Sequence, residues 1–151
     1  MTAHEMILIL DFGSQYTQLI ARRVRELGVF CEIRPCTVSA PESLDPGVVG
    51  LILSGGPSSV LEPGAPDFDL GVLELDRPVL GICYGLQSLV HRLGGRVEKA
   101  DDREYGRAHL SERQDDLLFE GVDGSAGDTV WMSHGDRVLE LPPDFHSLAE
   151  S

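Results

Sequence analysis

The chain has 151 residues, 42% of them hydrophobic and 25% charged, and a formal net charge of −13. That length suffices for one domain with its own core, and the acidity disfavours nucleic acid or an anionic membrane surface as a main partner, because phosphates are repelled. The opening MTAHEMILIL carries no basic leader, and its apolar run is too short to cross a bilayer. Three cysteines, Cys31, Cys36 and Cys83, form neither a CxxC pair nor a metal-ligand spacing. The expectation is a cytoplasmic protein in a reducing setting, without a metal site. Cys31 and Cys36 read as small buried residues or loop thiols.

In chain order, MILIL (6–10) is a short apolar run that stops at Asp11-Phe12-Gly13 and reads as a buried parallel strand. Ile20, Val24 and Leu27 repeat at i, i+4, i+7, and Gly28 stops the pattern, which predicts an amphipathic helix with an outward basic face. VFCEI (29–33) is a second strand, Pro35 and Pro41 bracket a turn, and VVGLILS (48–54) is a third strand ending in Gly55-Gly56-Pro57. Residues 58–77 are rich in Pro, Gly and acids, which predicts a loop with one short helix around residues 70–75. PVLGI (78–82) is a fourth strand. The helix after it shows Leu86, Leu89, Val90 and Leu93 at i, i+3, i+4, i+7 and closes at Gly94-Gly95. RVEKA (96–100) and the stretch near 105–110 read as a hairpin or edge strands, TVWMS (129–133) as a last clear strand, and the end as the start of another. Strands alternating with helices predict an α/β fold, an open and mostly parallel sheet covered on both faces. Ligands in such folds bind beyond the carboxyl ends of the strands. Four loops are expected there together: residues 11–15, 54–57, 83–85 and 133–136.

GICYG (81–85) lies at one of these strand-to-helix junctions. G-x-C-x-G has the layout of a nucleophile elbow, with sulfur in place of the serine oxygen. The turn crowds the residues two before and two after the nucleophile, and Gly81 and Gly85 relieve this by lacking Cβ. Cys83 then stands at the sheet edge on a helix N-terminus, where partial positive charge favours thiolate. The Tyr84 N–H would face an oxyanion formed on a carbonyl attacked by Cys83, and Gly56 in SGGP could supply a second donor. The plainer reading, a buried cysteine flanked by turn glycines, stays open on these residues alone.

DFGSQY (11–16), LSGGPSSV (53–60), VLGICYGLQ (79–87), REYG (103–106) and VWMSHGD (130–136) occur in this order. Together they resemble the class I glutamine amidotransferases over nearly the whole chain, and within them the glutaminase domain of bacterial GMP synthases. The elbow and the GGP loop mark the class; DFGSQY, REYG and WMSHGD mark the branch. The resemblance implies a flavodoxin-like α/β layering and a partial glutaminase domain over residues 1–151. It implies that Cys83 attacks the glutamine side-chain amide, that Gly56 and Tyr84 give the oxyanion-hole amides, and that Gln87 helps hold the substrate. It implies that Ser133, His134, Gly135 and Asp136 bind the amino-acid end of glutamine, largely through backbone. It further implies no cofactor in this domain. The ammonia would pass to a synthetase domain that uses ATP and Mg²⁺ to convert XMP to GMP, in an enzyme that forms a homodimer.

Attack by a thiolate calls for a histidine, oriented by a carboxylate, to protonate the leaving nitrogen. The chain has His4, His91, His109, His134 and His146. His4 precedes the first strand, and His91 stands eight residues along the elbow helix, on the order of 12 Å of rise away. His109 and His146 lie in polar stretches, which leaves His134 on the expected edge. The resembled family carries its base in a His-Pro-Glu motif, and no His-Pro-Glu occurs here. The resulting expectation is a piece of a longer chain whose last strands, triad His and Glu and synthetase domain lie elsewhere, with little or no activity on its own. The alternatives are the glutaminase domain of another amidotransferase branch and a non-catalytic α/β binding module.

Overall fold

The computed structural model describes residues 4–40, 46–110, 112–121 and 129–150; within strands, the side chains of residues 101–105, 112, 113, 133 and 134 lie outside the description. Four strands, β1 (Met6–Asp11), β2 (Phe30–Pro35), β3 (Val48–Leu53) and β4 (Val79–Gly81), form one parallel sheet in the order β2-β1-β3-β4. Their period of two sorts side chains to opposite faces. On one face Met6, Leu8, Leu10, Leu51 and Leu53 join Phe12, Phe68, Val72, Tyr84 and Leu89 in the larger core. On the other, Ile9 and Cys31 pack against Ala21, with Ile7, Ile33 and Ile52 around them. Helix α1 (Thr17–Glu26) covers this second face. A 3₁₀ turn (Leu70–Leu75) and helix α2 (Tyr84–Arg92) cover the first. The expected α/β fold with helices on both faces is what the chain adopts.

The expected helical stripes hold at Ile20 and Val24 of α1 and at Leu89, Val90 and Leu93 in and just beyond α2, and fail at one position each, Leu27 and Leu86. In α1 the buried residues are Thr17 and Ala21, while Leu27 is 82% exposed. In α2 the covered face holds Gln87 and Ser88 beside Leu89 and Val90, and Leu86 is 41% exposed. Hydrophobic periodicity finds the covered face but does not reveal the small and polar residues that share it, or which apolar residue at its margin stays exposed. Cys31 and Cys36 are buried, as expected. Pro35 ends β2, and Pro41 lies outside the described residues.

The second half departs further. β5 (Arg96–His109) and β7 (Thr129–Glu140) form a long antiparallel pair separate from the parallel sheet. β6 (Glu112–Arg113) pairs antiparallel with β8 (Ala149–Glu150). Residues 133–136 are therefore not a loop beyond a parallel strand but the middle of β7, a correction to the expected placement. Ser-His-Gly-Asp has the composition of a turn, and pairing with β5 overrides it. The ladder loses register between Lys99 and Glu104, opposite Gly135.

Candidate functional site

The seam between the sheet and the hairpin forms a cleft of about 550 Å³. Its lining comes from residues 13–16 after β1, 55–59 and Glu62 after β3, Cys83, Tyr84 and Gln87 at the head of α2, and Lys99, Ala100, Gly135 and Asp136 of the hairpin. Cys83 is the residue before α2, with φ 48° and ψ −111°, and it is exposed. Positive φ on a non-glycine residue is strained, and such strain concentrates at functional turns. The Gln87 N–H donates to the Cys83 carbonyl at 3.0 Å, so the strained residue still starts the helix.

The turn is tight against its neighbours. A Cβ on Gly85 would lie 2.3 Å from the Leu53 carbonyl oxygen, and one on Gly81 would lie 2.7 Å from Leu86 Cα. The crowding expected between the two glycines is thus mainly against β3 and α2 backbone. The Gly85 N–H donates to the Ser54 carbonyl at 3.0 Å, which ties the elbow to the end of β3. Gly56 is equally confined: a Cβ there would sit 2.7 Å from the Phe12 carbonyl and 3.4 Å from the Tyr84 ring. The loops after β1, β3 and β4 therefore meet around Cys83.

Tyr84 is buried in the larger core, and its hydroxyl donates to the Pro66 carbonyl. Burial, reinforced by Asp67, Cys36, Asp136 and Glu62, pushes its phenol up to about 12. Gln87, also buried, donates from Nε2 to the Asp136 carbonyl at 2.8 Å. Asp136 is 5% exposed, and its Oδ2 accepts from Ser59 Oγ at 2.6 Å. Among the described residues, no lysine or arginine forms an ion pair with it; Lys99, its register partner on β5, reaches Glu62 at 3.5 Å instead.

Partial desolvation by the cleft walls pushes the Cys83 thiol up. The helix N-terminus acts in the opposite sense, toward thiolate. His4, His91, His109 and His146 are all exposed, and none lines the cleft. The side chains of Ser133 and His134 lie outside the described residues, as do those of Arg103, Glu104 and Tyr105 in REYG. The structure brings Cys83, Gly56, Tyr84, Gln87, Gly135 and Asp136 to one cleft. The sequence reading missed Ser59, Glu62 and Lys99. Ser59 lies in the LSGGPSSV stretch that carries the resemblance, but no role attached to it there; nothing in the sequence marked the other two.

Comparison with known proteins agrees with this geometry. The family model for glutamine amidotransferase class-I matches residues 8–151. Relatives include the GMP synthase [glutamine-hydrolyzing] of Maridesulfovibrio salexigens, 55% identical over 92% of this chain and 27% of that protein. That of Solidesulfovibrio magneticus is 56% identical over 96% of this chain and 28% of its own. The chain thus spans little more than a quarter of the length of these curated relatives. Among solved structures, a GMP synthase component from Thermoplasma acidophilum matches with a TM-score of 0.77 and 33% identity, covering 100% of this chain and 75% of that one. A glutamine amidotransferase from Thermotoga maritima matches in fold, with a TM-score of 0.67 and 19% identity, over 99% of this chain and 67% of its own. An acutely turned cysteine between two confined glycines, facing a cleft bounded by the GGP loop, is thus joined to a match over nearly the whole sequence, and the chain belongs to the class I glutamine amidotransferase family.

Proposed function

We propose that residues 1–151 are a glutaminase portion of a GMP synthase, and that the cleft takes L-glutamine with its side-chain carbonyl at Cys83. The observation that carries the reading is the strained Cys83 turn opening into a cleft lined by Gly56, Tyr84, Gln87 and Asp136. The Cys83 sulfur adds to the amide carbon, and the backbone N–H groups of Gly56 and Tyr84 stabilise the developing oxyanion. The C–N bond breaks as the nitrogen takes a proton and leaves as ammonia. Water then cleaves the glutamyl thioester and returns the thiol.

Asp136 receives the α-ammonium. A carboxylate this buried is costly without a cation, and the substrate brings one. Gly135 and the backbone of Ser133 and His134 border the same amino-acid end. Ammonia passes to a synthetase domain that activates XMP with ATP and Mg²⁺ and yields GMP, in a cytoplasmic homodimer. No described helix is long and apolar enough to cross a membrane.

With no base assigned among the described histidines, slow turnover by this chain alone is the expectation. The test therefore reads the nucleophile directly, with a chloroketone analogue of glutamine that alkylates cysteine by displacing chloride. Saturable labelling, competed by L-glutamine and lost in Cys83→Ala, is expected. Labelling that rises linearly with reagent and ignores glutamine would support the non-catalytic binding module instead.

A further inference from the structure

We propose that Ser59 is a positioning residue: it fixes the Asp136 carboxylate so that one oxygen is consumed within the protein and the other is presented to the substrate's α-ammonium. The inference rests on the reading of the cleft as a glutamine site. It stands on three contacts. The Ser59 hydroxyl donates to Asp136 Oδ2 at 2.6 Å, within the short range of charge-assisted bonds. The Leu61 N–H donates to Ser59 Oγ at 3.2 Å, holding the hydroxyl so that its proton is free to point at Asp136. Gln87 Nε2 holds the Asp136 carbonyl at 2.8 Å, so the residue is pinned at its backbone from α2 and at its side chain from the loop after β3.

The electrostatics point the same way. Asp136 is nearly buried, lines the cleft and has no lysine or arginine partner among the described residues. A lone hydroxyl donor satisfies one carboxylate oxygen but does not neutralise the charge. A primary ammonium completes the site. Ser59 thus decides the direction from which that ammonium is received, and does not itself touch the reacting atoms.

The test compares two alkylating agents on the 151-residue chain: the chloroketone analogue of glutamine and the same chloroketone lacking its α-amine. Each alkylation forms a carbon–sulfur bond at Cys83, expels chloride and gives the thiol proton to solvent. The wild-type chain is expected to prefer the amine-bearing reagent. Ser59→Ala should raise its half-saturating concentration about tenfold, the scale of one charge-assisted hydrogen bond, and leave the maximal rate and the amine-free reagent unchanged. Ser59→Thr, which keeps the hydroxyl, should restore the preference. An unchanged preference in Ser59→Ala overturns the inference, and so does an equal loss with both reagents, which would mean a merely structural role. Absence of any preference in the wild-type chain overturns the glutamine-site reading beneath it, a result distinguishable from either.

Discussion

The parallel-sheet half and the antiparallel hairpin half build the cleft by different means. In the first, backbone is packed against backbone: Gly85 faces the Leu53 carbonyl and Gly56 the Phe12 carbonyl, so Cys83 is held by atoms that have nowhere to go. In the second, β7 crosses the site as one continuous strand, Gly106 has open space around it, and Trp131 is 73% exposed. The hairpin is held over Cys83 by the hydrogen bonds that Ser59 and Gln87 donate to Asp136. The nucleophile side of the cleft is thus fixed by backbone packing, and the hairpin side by side-chain hydrogen bonds.

The largest test of this contrast is a pair of glycine substitutions. Gly85→Ala drives a methyl into the Leu53 carbonyl, with no side chain able to move aside, and should cost more than about 4 kcal/mol in denaturant unfolding. Gly106→Ala meets only its own positive φ of 124° and should cost about 1–2 kcal/mol. Comparable costs at the two positions would remove the distinction. A second pair is Leu89→Ala, expected to lose about 3 kcal/mol from the larger core, against Trp131→Ala, expected to change stability by less than about 0.5 kcal/mol.

The legibility of the sequence follows the same division. β1 and β3 were readable because buried parallel strands are continuous apolar runs, and the elbow because only glycines fit beside Cys83. The position of 133–136 was not readable, because a strand that carries turn-like residues is set by its partner across a long sequence gap, here Glu104 opposite His134. Leu86 and Leu27 were misjudged because Gln87, Ser88, Thr17 and Ala21 take the covered faces. The Ser59–Asp136 contact spans 77 positions and left no local signal.

The seam offers the next test. Gln87→Leu leaves the Asp136 carbonyl without its donor and should cost about 2 kcal/mol, with hydrogen exchange accelerating in β7 and not in β1. Uniform acceleration would mean the hairpin is not separately held.

The remaining test is a pH dependence. Burial raises the Tyr84 phenol from its ordinary value near 10 to about 12, so the folded state favours the neutral form. That contribution is complete below pH 10 and is lost as pH rises toward 12. Stability should fall across this window by about 1–2 kcal/mol, and Tyr84→Phe should flatten the fall. An unchanged alkaline slope in the variant would assign it to other groups.

Occupancy of the cleft by L-glutamine, with its amide at Cys83, is what the functional reading stands or falls on. It is read most directly from the rate at which iodoacetamide alkylates Cys83, followed by peptide mass spectrometry, at increasing L-glutamine. Saturable protection of Cys83 by L-glutamine, and none by D-glutamine, is the expected result. An alkylation rate indifferent to L-glutamine at every concentration would contradict it.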